Sequence, residues 1–198
     1  LDVSVSDYAI GISGNFANSG TFTDRSGTVT FNGTGTLTSG GSELYNVTTN
    51  GTGTVTLGDA LSIANNLTIG ANTTLDVGSN QAIFLGGNWS NSGTFTQASG
   101  TVTFNGSGAQ TFSGTNTFYD LTINNTNGSL KVSANGSSLT VQDDLLVSNG
   151  IFESASDYVD VTISGGATLE LTGNITVSGD WSNSGTFTHN SNTVTFDG

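Results

Sequence analysis

A twenty-residue motif occurs three times in this chain, and its spacing constrains the fold more than any other feature. The copies read GNFANSGTFTDRSGTVTFNG from Gly14 to Gly33, GNWSNSGTFTQASGTVTFNG from Gly87 to Gly106, and GDWSNSGTFTHNSNTVTFDG from Gly179 to Gly198. Each holds four apolar positions at one spacing: Phe16, Phe22, Val29 and Phe31; Trp89, Phe95, Val102 and Phe104; Trp181, Phe187, Val194 and Phe196. Phe16 and Trp89 are 73 residues apart, Trp89 and Trp181 92. A globular repeat rarely absorbs such an increment and keeps its resemblance. A solenoid does, if the increment is one coil.

Apolar residues also recur at 18-residue intervals, as in Ile123, Val141, Val159 and Val177; Leu145, Ile163 and Trp181; Ile151, Leu169 and Phe187. Three columns per coil imply three walls. The reading is therefore an all-β fold: a single-stranded parallel β-helix, or β-solenoid, of about 18 residues per coil and about 11 coils. Coils stacked roughly 4.8 Å apart would give a rod ~50 Å long. Ile123, Val141, Val159, Val177, Ile163, Trp181 and Phe187 are the expected core ladder.

Short segments such as Thr28-Val-Thr-Phe31 alternate with period two, as half-buried strands do. Asn32-Gly33, Asn105-Gly106 and Asp197-Gly198 close them with residues that tolerate corner conformations. No window carries a capped helical period, so essentially no α-helix is expected. Residues 1–16 match 75–89, and no linker interrupts the pattern. The chain reads as one continuous β-helix over 1–198, in units of approximately 1–74, 75–168 and a partial 169–198.

Composition narrows the function. Lys and Arg number 2 against 15 Asp and Glu. Phosphate backbones and anionic lipids both need clustered cations, so nucleic acid and membrane surfaces are poor partners. No apolar run is long enough for membrane insertion. Cysteine is absent, which removes disulfides and thiol chemistry. Pro is absent too, consistent with strands that cannot spare a ladder donor. A surface of Ser, Thr, Asn and Gly in place of Lys and Arg points to an extracellular or cell-surface location.

Together, the SNSGTF, GTVTFNG and F-Y-D-LTI segments resemble the β-helix repeats of large secreted bacterial and archaeal surface proteins. Filamentous-haemagglutinin-like and autotransporter-type adhesins share that architecture. The resemblance covers the whole chain, and its motifs are architectural. It implies a right-handed helix, export, and a role in a surface structure or fibre.

Candidate sites are few. Six of the fifteen acids fall between Asp143 and Glu170. Asp143, Asp144, Asp157 and Asp160 are the candidate ligands for Ca²⁺, which takes oxygen donors. The competing reading is a solvated acidic face. Strand alternation turns Asp143 and Asp144 to opposite sides, so only one of them is expected at any one site. No other cofactor is expected. His189, the only His, falls at an outward turn, so neither a transition-metal site nor a Ser/His/Asp constellation can be assembled. Eleven sequons admit N-glycosylation: Asn32, Asn46, Asn50, Asn66, Asn72, Asn88, Asn105, Asn124, Asn127, Asn135 and Asn174. Thr-x-Thr pairs abound. The matched pairs recur only once per unit, which makes them outward β-formers rather than a repeating face.

The expected function is a non-enzymatic structural module of an extracellular fibre, stalk or adhesin. Its partners would be copies of itself or further repeats end to end, with surface glycans as further candidates. The alternatives are a carbohydrate-binding or carbohydrate-cleaving β-helix, and an ice-binding solenoid. Neither end carries a polar cap of the kind isolated solenoids use, so the chain is expected to continue into further coils or to stack into a filament.

Overall fold

The computed structural model describes residues 1–198 except 4, 5, 24, 129, 130 and 134–136; for residues 131–133 it describes the backbone alone. The fold is a parallel β-solenoid, with no helix among the described residues. Strands of two to six residues stack in register on three walls. The first wall has ten strands, from Ile10–Ile12 to Thr186–Thr188, and so marks about nine turns. The second begins with five strands, from Phe16–Ala17 to Thr94–Thr96. It continues as Thr115–Phe118 paired with Ser138–Val141, and Ile175–Val177 paired with Val194–Phe196. The third has seven strands, from Leu61–Ile63 to Trp181–Asn183. The chain visits them in the order first, second, third, then climbs one level.

Period-two alternation explains the core. Leu61, Ile63, Leu67, Ile69, Leu75, Ile83 and Leu85 are all fully enclosed, and the residues between them face outward or sit at corners. One continuous apolar column fills the rod. It thickens at mid-length into an aromatic cluster of Trp89, Phe95, Phe104, Phe112 and Phe118.

The 18-residue register needs correction. Along the first wall Ile10 pairs with Val29, Val29 with Val47, Val47 with Leu67, Leu67 with Trp89 and Trp89 with Phe112. The interval drifts between about 18 and 23 and averages about 20, so the chain makes about nine turns where eleven were expected. Ile123 pairs with Val147, not with Val141, which belongs to the second wall opposite Phe118. Ile163 also pairs with Val147, and Trp181 with Val161. Val159 is only half-buried; the inward position beside it belongs to Tyr158, which bridges to Val177. Strand parity decides this, because a one-residue slip turns a side chain to the other face. Ile123, Val141, Ile163 and Val177 are buried, while Trp181 and Phe187 are partly buried on the last coils.

The three motif copies do not sit above one another. Phe16 of the first copy lies on the second wall, and Val29 and Phe31 on the first. In the second copy Trp89 is on the first wall, Phe95 on the second, and Val102 and Phe104 on the third. In the third copy Trp181 is on the third wall, Phe187 on the first, and Val194 and Phe196 on the second. Each copy starts one wall earlier than the one before. The spacings of 73 and 92 residues are therefore about three and two-thirds and four and two-thirds turns. The local geometry survives the change of wall. Phe16 and Phe22, Trp89 and Phe95, and Trp181 and Phe187 all meet edge to face, at 5.3, 4.8 and 4.9 Å between ring centroids.

Corners are tied by short polar side chains that reach to the next level. The Asn46 side-chain oxygen accepts the Asn66 N–H at 3.2 Å, Asn66 accepts that of Asn88 at 2.8 Å, and Asn88 that of Thr111 at 2.9 Å. Asn15, Asn80, Asp157 and Asn174 do the same for Thr36, Ser99, Thr176 and Thr193. Each bond satisfies a backbone donor that a corner would otherwise leave to water.

Candidate functional site

The acids of the second unit form a column at the entry to the third wall. Asp144 and Asp160 are register partners. The pairs Leu121 with Leu145, and Val161 with Trp181, place Asp120 one level before Asp144 and Asp180 one level after Asp160. Four aspartates thus occupy one position on successive coils. Two of the side chains serve as corner ties: Asp120 Oδ1 accepts the Asp144 N–H at 3.3 Å and Asp160 Oδ1 that of Asp180 at 2.5 Å. Thr101 Oγ1 donates to the other Asp120 oxygen at 3.2 Å. Gly179 keeps this path open, since a Cβ there would stand 2.1 Å from Asp160 Oδ1.

Asp143 joins this column from the side. It precedes the strand Asp144–Asn149, at the corner where alternation does not yet apply. Oxygens of Asp143, Asp144 and Asp160 lie within 4.8 Å of one another. The expectation that only one of Asp143 and Asp144 could join a site is therefore corrected. Asp157 is not part of the group: it is exposed at another corner, where its carboxylate accepts the Thr176 N–H at 2.7 Å. Three convergent carboxylate oxygens are a donor set that hard divalent cations such as Ca²⁺ accept.

Crowding shows in the titration. Desolvation against the neighbouring coils pushes the Asp144 carboxyl up, and the charges of Asp143, Asp120 and Asp160 push it further. The Tyr119 phenol is also raised, chiefly by donating its proton to the Asp143 carboxylate. A raised carboxyl binds its proton more tightly in the folded chain than in the unfolded one. Stability therefore rises as pH falls from neutral through that raised value, and levels off below the ordinary aspartate range. Asp144→Asn should raise the melting temperature at neutral pH by about 1–2 °C, a small figure because the side chain is exposed and screened. The gain should vanish in melts near about pH 3. A gain that persists unchanged at acid pH would place its origin elsewhere.

The other candidate residues are scattered. His189 is exposed at its turn. Among the sequons, Asn32, Asn50, Asn72, Asn88, Asn105 and Asn174 are exposed, and Asn46, Asn66, Asn124 and Asn127 half-buried. Asn135 lies outside the described residues. Asn46, Asn66, Asn88 and Asn174 are corner ties. The Trp and Phe positions of the second motif copy are core, so they offer no platform for a sugar ring.

The sequence reading missed a buried polar network. Gln110 is fully enclosed. Its amide N–H groups donate to Leu85 O and Gly87 O, each at 2.8 Å, and its oxygen accepts the Gly106 N–H at 3.0 Å and Asn125 Nδ2 at 3.2 Å. Asn116 accepts the Trp89 indole N–H at 2.7 Å and donates to Ser113 O and Gly114 O. Parity carried the signal: Gln110 and Asn116 are in phase with the inward Phe112 and Phe118. No protein-family model, curated protein or solved structure matches the chain.

Proposed function

We propose that the chain is a non-enzymatic structural module: a stiff segment of an extracellular fibre, stalk or adhesin, extended end to end by further coils or copies. One observation carries this reading. The motif encloses its aromatic residues only beneath a further coil, so the fold is an array that grows by repetition. Trp89 and Phe104 are enclosed and the Asn91 amide bonds Thr115 O, all beneath the coil of residues 107–125. A head-to-tail contact between copies would not close on itself, and so would propagate.

The solenoid suits such a role. On the first wall backbone pairing runs through all ten strands, one apolar core fills the described coils, and the chain is low in the Lys and Arg that many proteases cut beside. Light scattering and electron microscopy of the purified chain test the reading. Filaments or strings of rods are expected, and appending a copy of residues 107–125 after Gly198 should suppress them and raise the melting temperature. A monodisperse monomer at high concentration, with no gain from the appended coil, overturns it.

A further inference from the structure

Thr-x-Thr pairs recur on three of four consecutive coils after all, through residues that lie mostly outside the motif copies. On the second wall Thr36 pairs with Thr56, Thr54 with Thr74, and Thr74 with Thr94, while Asp76 stands between Thr56 and Thr96. Thr34 completes the first column: its hydroxyl accepts the Thr54 N–H at 3.4 Å. Two outward columns result: Thr34, Thr54, Thr74, Thr94, and Thr36, Thr56, Asp76, Thr96. All eight side chains reach the surface. Val55, Leu75 and Phe95 lie between them, pointing inward.

We propose that this wall, from Thr34 to Thr96, is an ice-binding face. The geometry is a lattice. Coils repeat at about 4.8 Å along the axis, and residues two apart on a strand are about 6.7 Å apart. Rows of oxygen atoms on a prism face of ordinary ice repeat at close to these two intervals. Each level is also equivalent to the next: Val55, Leu75 and Phe95 follow one another every 20 residues, whereas the first wall drifts. Threonine has few χ1 choices, so its hydroxyl and methyl are held in place before any contact forms. Among the described residues, the hydroxyls of Thr36, Thr56, Thr74, Thr94 and Thr96 have no side-chain hydrogen bond within the chain, which leaves them to order water.

Charge selects the occupant. The chain carries 15 acids, yet Asp76 is the only charged outward residue in these four strands. Ice does not accommodate fixed ions, and a nearly neutral wall on an acidic molecule fits a neutral crystalline surface. The first wall carries only one such outward column, Thr30, Thr48, Thr68 and Ser90, and no second one beside it. Its Asn46, Asn66 and Asn88 column is spent on backbone ties, so it supplies an internal control.

The test uses the full chain. Thermal hysteresis, and the fraction of protein taken up into slowly grown ice, should both be measurable for the unaltered protein. Thr56→Tyr and Thr74→Tyr should each abolish both, because a ring lifts the wall off the lattice. Thr48→Tyr on the first wall should leave both unchanged. Circular dichroism melts check folding, and the exposed Thr96→Lys substitutes for either variant that fails to fold. Absence of hysteresis and ice uptake in the unaltered protein overturns the proposal, as does a first-wall variant that loses as much as the second-wall variants.

Discussion

Replacing Trp89 by Ala lowers stability by about 4 kcal/mol, the largest loss expected from any single truncation in this chain. The indole is fully enclosed at the centre of the aromatic cluster. It meets Phe95 at 4.8 Å and Phe118 at 5.2 Å, both edge to face, and such pairs contribute beyond the area they bury. Its removal leaves a cavity that short, hydrogen-bonded strands above and below cannot close. It also takes the main donor from the buried Asn116 oxygen. Trp181→Ala is the matched comparison. The motif, the Phe187 partner at 4.9 Å and the geometry are the same, but the ring is only partly buried, so the loss should be less than half as large. Guanidinium midpoints at constant slope measure both. Equal losses would mean that the aromatic pair, not enclosure by the next coil, sets the energy.

Gln110→Leu should destabilise by about 3 kcal/mol, although it replaces a polar core residue by an apolar one of similar size. The reason lies in what stays behind. Leu85 O and Gly87 O lose their amide donors, and the Gly106 N–H loses its acceptor, around a side chain that is fully buried. Asn125 still has Gly108 O at 2.6 Å, so that part of the network survives. Hydrogen exchange at the Gly106 amide should accelerate more than exchange several coils away, because a solenoid couples mainly to its nearest neighbours. A midpoint shift near zero, with Gly106 still protected, would show that water replaces the Gln side chain at no cost.

The fold class was legible because its signal is redundant. Alternation across Leu61 to Leu85 states the strands, and repetition at long period states the stacking. The coil length was not legible. An interval of 18 holds between Val29 and Val47, and between Leu169 and Phe187, which are true partners. The same interval also links Val141 to Val159, where it misleads, because corner lengths vary. Leu121 pairs with Leu145, 24 residues on, and Leu145 with Val161, only 16 on. A bulge after Ile123 then widens the interval to 25, between Asn124 and Asn149. Corner length costs little energy and leaves no apolar trace, so periodicity alone reads an average badly. The acidic group was half legible: the cluster of Asp residues is plain in the sequence, while the approach of Asp143 depends on a corner. The second-wall threonines were hidden for the same reason. Their 20-residue interval runs through unlike stretches between and within the motif copies, and comparing like with like passes over it.

The drift of the motif from wall to wall bears on how such a rod bends. Its bulkiest side chains come in the edge-to-face pairs, and a solenoid that stacked them on one side would be wider there and would curve away from it. Here successive pairs point about a third of a turn apart, so the wide spots are shared among all azimuths and their wedging effects cancel over three units. Such an arrangement favours a rod with no built-in curve toward any one wall. Whatever rides on the motif's turns, such as Gln97 and His189, is shown on different sides of the axis, so these turns are not confined to one side of the solenoid.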